Sequence, residues 1–267
     1  DHLSMSPSGT HVVISIDDSE KVIGTTAYTR DFSSHLQVHH KSVHSDLAVL
    51  ANGHDAYVAV DYQDNGNNFY IDLETGEKNY LFSNYVNGHG TAIHFSGNAI
   101  NKPGWVVVST YDDRHEDRWH HSKIMAVELG GENRIINLAH NQTEYFHRET
   151  GISNYHNEQQ ASVNRDLTKI IYATNWRTPT VHTRDNGSQF SIGIEDYIIE
   201  LDQDVIPDWN TRVDFSAKIA HKYVVSQQTP DSILMLGNSL TGVRAEEFQQ
   251  ENPSYHFSQM VSSQGTN

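Results

Sequence analysis

Apolar positions along the chain come in short, β-branched runs separated by polar turns, with no stretch at the three-to-four-residue spacing of an amphipathic helix. The strongest runs are His11-Val12-Val13-Ile14-Ser15, Ala56-Tyr57-Val58-Ala59-Val60, Trp105-Val106-Val107-Val108-Ser109 and Lys169-Ile170-Ile171-Tyr172-Ala173. Each follows a polar, histidine-bearing start. These starts are Asp1-His2-Leu3-Ser4-Met5, His44-Ser45-Asp46-Leu47-Ala48, Ala92-Ile93-His94-Phe95-Ser96 and His156-Asn157-Glu158-Gln159-Gln160. Asn52-Gly53 and Arg165-Asp166 are turn signals between start and run. A third strand with an acidic residue near its end follows in Asn68-Phe69-Tyr70-Ile71-Asp72, Lys123-Ile124-Met125-Ala126-Val127-Glu128 and Asp196-Tyr197-Ile198-Ile199-Glu200.

The histidines that open the units lie 42, 50 and 62 residues apart. A repeat of that length, holding three or four strands, predicts an all-β chain built as a β-propeller. Four blades are recognisable over residues 1–202, as a partial or larger ring. A β-sandwich would show regularly spaced strands without the recurring histidine-led start. Residues 203–267 lose the repeat and read as a C-terminal extension, either closing strands or the start of a separate unit. The polar stretches 112–121 and 178–191 read as insertion loops, where binding specificity tends to reside.

Composition narrows the partners. The 267 residues include no cysteine, which removes disulfide frameworks, Cys-rich zinc sites and thiol nucleophiles. No apolar run approaches the roughly 20 residues that span a bilayer, so membrane insertion is not expected. Against 34 acidic residues stand 18 Lys and Arg, a net charge of −16 that repels nucleic acid. Histidine is as abundant as all the permanent cations together, at 18. Asp1 opens directly into a patterned segment, so no signal peptide is expected at that point.

Several segments carry a resemblance: Asp1-His2-Leu3-Ser4-Met5-Ser6-Pro7-Ser8-Gly9, His44-Ser45-Asp46-Leu47-Ala48, His94-Phe95-Ser96-Gly97, Lys102-Pro103-Gly104-Trp105 and Ala161-Ser162-Val163-Asn164-Arg165-Asp166-Leu167-Thr168. They resemble bacterial secreted β-propellers of the TolB/WD40-like type, and more distantly the propeller polysaccharide lyases that act on oligogalacturonate or ulvan. The resemblance implies an extracellular or periplasmic protein. It also implies β-elimination beside a uronate carboxylate, with a His or Tyr as base and an Arg, His or metal ion neutralising the carboxylate. In oligogalacturonate lyases a His and Gln cluster holds the metal. The ulvan-lyase spacing of paired His, Tyr and Arg does not match this chain. A fainter echo, Leu236-Gly237-Asn238-Ser239-Leu240-Thr241, is similar to the nucleophile block of SGNH hydrolases, without the downstream Asp-x-x-His.

In a propeller the first strand of each blade lines the central channel, so the four starts are expected to converge. His2, His44, His94 and His156, with Glu158 and Gln160, are then candidate ligands of a divalent metal such as Zn, Mn or Ca. Unmetallated, His44, His94 and His156 are candidate proton-transfer groups, and Arg177 is the candidate cation for a substrate carboxylate. The competing structural reading has each histidine capping a strand by bonding the backbone of a neighbouring blade. Tyr111 and Tyr155 are candidate general acids, and Trp119 and Trp176 either stack on sugars or pack between blades. The adjacent pairs His39-His40 and His120-His121 are expected to point to opposite faces of a strand, one member exposed. Asp61-Tyr62-Gln63-Asp64-Asn65-Gly66, with Asp72 twelfth, partly mimics a Ca²⁺ loop but is read first as a hairpin turn. The leading expectation is a secreted propeller acting on acidic polysaccharide by His-mediated or metal-assisted β-elimination. The alternative is a non-catalytic binding or assembly module for protein or glycan partners.

Overall fold

A computed structural model describes residues 2–17, 22–64, 66–86, 89–111, 118–145, 157–176, 180–183, 185–187, 189–192 and 194–209. It contains a run of antiparallel meanders. Strands β1 (His2–Met5), β2 (His11–Asp17), β3 (Val22–Thr29) and β4 (His35–His39) form the first sheet in sequence order. The second holds β5 (Ser45–Val49), β6 (Asp55–Asp61), β7 (Asn67–Asp72) and β8 (Lys78–Ser83). After the short ribbon β9 (Tyr85–Val86) and β10 (His89–Gly90), β11 (Ala92–Ser96), β12 (Trp105–Tyr111), β13 (Lys123–Glu128) and β14 (Ile135–His140) form the third. The fourth is β15 (Ser162–Val163), β16 (Lys169–Thr174) and β19 (Glu195–Glu200). The fold is that of β-propeller blades.

The core explains the continuous apolar runs. A blade inside a propeller is covered on both faces, so both sets of alternating side chains must be apolar. On β6, Tyr57 and Ala59 join Val13, Ala27 and Phe69 between the first and second blades, while Ala56, Val58 and Val60 face Val106, Val108 and Met125 of the third. On β12, Trp105 and Val107 turn the other way, onto Ile170, Tyr172 and Ile199 of the fourth blade. Every residue of β6 and β12 is buried. Full burial of a large apolar side chain stabilises by about 1.5–3 kcal/mol, so these three inter-blade layers carry the fold. In the first three blades the register slips once between third and fourth strands, at Thr25/Thr26, Asn68/Phe69 and Ile124/Met125. Such bulges raise the local twist, and their recurrence marks the blades as true repeats.

Residues 203–209 pack along the third blade. Ile206 is buried in the layer between the third and fourth blades, and the Trp209 indole N–H donates to Leu129 O at 3.0 Å. Gly104, at φ 86°, makes room for that indole; a Cβ there would sit 2.6 Å from Trp209 Cδ1. Residues 210–267, with the Leu236-Gly237-Asn238-Ser239 block, lie outside the described residues. No helix among the described residues is long and apolar enough to cross a membrane.

Two local expectations are corrected. The stretch 178–191 is not simply loop: β17 (Thr180–Thr183) and β18 (Gln189–Ile192) pair as an antiparallel hairpin inserted before β19. His39 is buried and His40 exposed, but they do not take opposite faces, since His40 lies past the end of β4 and its ring stacks on His39 at 4.6 Å; His120 and His121 are both buried. His120 and His121 sit in a turn rather than a strand, with Ser122 at φ 51°, so alternation does not govern them. His120 Nε2–H donates to Asn84 O at 3.0 Å, and Asn141 Nδ2 donates to Thr110 O at 2.6 Å in the same polar layer.

Burial drives the His120 imidazole down from 6.5 to about 4. The unfolded chain therefore binds a proton that the folded chain refuses over this interval, and stability should fall as pH drops from 6.5 towards 4. Thermal melts across that range should show the decline, and His120→Gln, which retains a donor for Asn84, should flatten part of it.

Candidate functional site

The first strands of successive blades lie side by side, β5 next to β11 and β11 next to β15. Backbone and small polar groups stitch them together. Gly97 N donates to Asp46 Oδ2 at 2.8 Å, and Val163 N donates to Ser96 Oγ at 3.1 Å. Gly97 is required because a Cβ would fall 2.0 Å from Leu47 O. Burial pushes the Asp46 carboxyl upward, against the N–H bonds from Gly97 and Leu47 that favour its anion.

At the entry to these strands His2, His44, His94 and Gln160 line one cavity of about 410 Å³, with Ser42, Val43, Ser45 and Phe95. The rings of His44 and His94 stack, centroids 4.6 Å apart and planes 17° apart. Each ring has one nitrogen committed. His44 Nδ1 lies 2.7 Å from Ile93 O, and a carbonyl only accepts, so this nitrogen carries the proton. His94 Nε2 lies 2.7 Å from Glu158 Oε2. That carboxylate is buried, and its other oxygen accepts from the Tyr111 hydroxyl at 2.9 Å. In the neutral rings, the lone pairs are therefore left on His44 Nε2 and His94 Nδ1.

Burial and the neighbouring His94 hold His44 below the ordinary imidazole range, against the Ile93 carbonyl and Glu158 that favour its cation. His44 is thus a neutral proton acceptor near pH 7. Tyr111 is the reverse: burial and the Glu158 charge push its hydroxyl far up, so it serves as a fixed donor to Glu158. Gln160 is held at φ 40°, a left-handed conformation costly for a side-chain-bearing residue and typical of positions pinned for function.

The chain brings together His2, His44, His94 and Gln160 around one cavity, with Glu158 behind His94 rather than in the cavity wall. His156, Arg177 and Tyr155 lie outside the described residues. Trp176 stacks on Tyr197 at 4.9 Å, and Trp119 meets Phe82 edge-on at 5.7 Å. The Asp61 and Asp72 carboxylates cap separate turns, accepting from Gln63 N and Asp64 N and from Glu74 N and Thr75 N. Asp61 pairs with Asn67 while Asp72 pairs with Ala56, so the hairpin puts them at opposite ends of its strands and the turn reading applies. Glu158 and His94 were expected to converge; that they bond directly across 64 residues, with Tyr111 on the other carboxylate oxygen, depends on how the blades pack.

The sequence matches no family model and no curated protein. Solved structures similar to the chain include β-propellers. TolB from Acinetobacter baumannii is 10% identical over 74% of this chain and 40% of its own, with a TM-score of 0.41. An oligogalacturonate lyase in complex with manganese is 13% identical over 65% of this chain and 44% of its own, with a TM-score of 0.40. The dihydro-heme d1 dehydrogenase NirN is 15% identical over 72% of this chain and 36% of its own, also at 0.40. This chain therefore spans less than half the length of each.

Proposed function

We propose that the blade-start funnel binds an acidic glycan and cleaves it by β-elimination, in a protein that works outside the cytoplasm. The observation that carries this reading is the stacked His44–His94 pair lining the cavity, each ring fixed by a partner, with the His44 lone pair left on Nε2. His44 Nε2 takes the C5 proton beside the uronate carboxylate, the C4–C5 double bond forms as the C4–O glycosidic bond breaks, and the leaving oxygen takes its proton from solvent. The N–H bond from His44 to Ile93 O keeps the ring in the tautomer with Nε2 bare. Glu158 holds His94 through Nε2, and Tyr111 holds Glu158. The donor set of two imidazoles and an amide oxygen suits Mn²⁺ or Zn²⁺ better than Ca²⁺, which prefers an all-oxygen shell. His2, His94 and Gln160 would hold such an ion, which when bound supplies the positive charge that neutralises the carboxylate and acidifies the adjacent C–H. That charge is needed, since the molecule carries −16 overall and the described lining contains no Lys or Arg.

The binding-module reading has its own support: His44 bonds the backbone of the next blade, as a strand cap would. The two part in one assay. The protein is incubated with a panel of anionic glycans, with and without Mn²⁺, and the ultraviolet absorbance of unsaturated uronate ends is followed. Rising absorbance with at least one glycan is expected; flat traces throughout would leave the binding module as the better account.

A further inference from the structure

The strand ends remote from the funnel carry a second group of metal-type side chains. His11 opens β2, Asp55 opens β6 with His54 just before it, and Asp72 closes β7 with Glu74 in the following turn. Val49 pairs with Asp55, whereas His44 precedes the other end of β5, so the length of a strand, roughly 15 Å, separates this group from the funnel. Candidate ligand atoms of His11, Asp55 and Glu74 all lie within 4.8 Å of one another, and so do those of His54, Asp72 and Glu74. Glu74 is exposed and common to both sets.

Hydrogen bonds hold these donor atoms close together. Asp55 is wholly buried and accepts from Ser8 Oγ at 2.5 Å and from Thr10 Oγ1 at 3.0 Å. With the Thr10 proton given to Asp55, the Thr10 oxygen accepts from His11 Nδ1–H at 2.9 Å, which leaves the His11 lone pair on Nε2. His54 Nδ1–H donates to Asp72 Oδ2 at 2.8 Å, and a divalent ion held by this pair would take the place of the shared proton. Asp55 also explains the position: it joins the β1–β2 turn to the second blade, so an ion here would bridge two blades.

We infer that the two triads sharing Glu74 form a binding site for a divalent transition metal, at the boundary of the first and second blades and distinct from the funnel. The imidazole beside two carboxylates in each triad favours Zn²⁺ over Ca²⁺, which prefers an all-oxygen shell. Because the ion competes with the His54 proton, which the Asp72 hydrogen bond helps to hold, binding weakens in acid.

The test is calorimetric titration of Zn²⁺, with Ca²⁺ in parallel, into protein carrying His44→Ala and His94→Ala so that the funnel donors are gone. Saturable Zn²⁺ binding stronger than Ca²⁺ binding is expected, weakened about tenfold or more by Glu74→Ala and by His54→Ala. Glu74 is exposed, so its replacement spares the core, and metal-free melting curves of the two proteins should coincide. Absent Zn²⁺ binding, Zn²⁺ binding no tighter than Ca²⁺, or an affinity unchanged by Glu74→Ala would each overturn the inference.

Discussion

His44→Ala should lower the rate at which unsaturated uronate ends form by about 10²–10⁴-fold, the usual contribution of a positioned general base. The substitution also strips Ile93 O of its donor, so a fall in activity alone would not separate catalysis from strand capping. His44→Asn resolves this, because its amide can still donate to Ile93 O but offers no base. Both variants should lose activity, while only His44→Ala should lose stability, by about 1–3 kcal/mol for an unpaired buried acceptor. With His44 held below the ordinary imidazole range, the acid limb of the wild-type pH–rate profile should lie below 6.5. Full activity in His44→Asn would mean that this ring is a cap and nothing more.

The largest stability loss is expected at the edge of the third blade. Glu128 is wholly buried, and Arg134 grips it through Nε at 2.9 Å and a terminal nitrogen at 2.5 Å. The same guanidinium lies 5.3 Å from the centre of the Trp105 ring and donates to Asp208 O at 3.3 Å, so it also steadies the docked 203–209 segment. Arg134→Ala leaves a buried carboxylate without this cation, which typically costs about 3–5 kcal/mol. Urea unfolding should show it. Adding Glu128→Gln to that variant should recover part of the loss, because the charge left behind, rather than the missing contacts, is the main cost. A single variant as stable as the parent would contradict this account of the Glu128 environment.

The blades were legible in the sequence where burial on both faces leaves unbroken apolar runs, as on β6 and β12. The fourth strands were not. Lys78–Ser83 and His35–His39 lie at the outer blade edges, half exposed, and carry no run to find. The 180–192 hairpin is similarly polar and looks like loop. At the site, the shared strand-start position of His2, His44 and His94 foretold that they would line one cavity. The partners that set their chemistry are a backbone carbonyl, Ile93 O, and a glutamate from another blade. Neither leaves a mark on local sequence, since both depend on how blades stack. The second cluster escaped for the same reason: His11 and Asp55 belong to different blades, and His54 sits beside a turn signal that accounts for it without any ligand.

The central claim is that the funnel base keeps its lone pair on His44 Nε2, with Nδ1–H held by Ile93 O. A long-range ¹H–¹⁵N spectrum of the histidine side chains at neutral pH reads that state directly. The account predicts His44 as the neutral tautomer protonated at Nδ1. His44 protonated at Nε2, or as the doubly protonated cation, would contradict it.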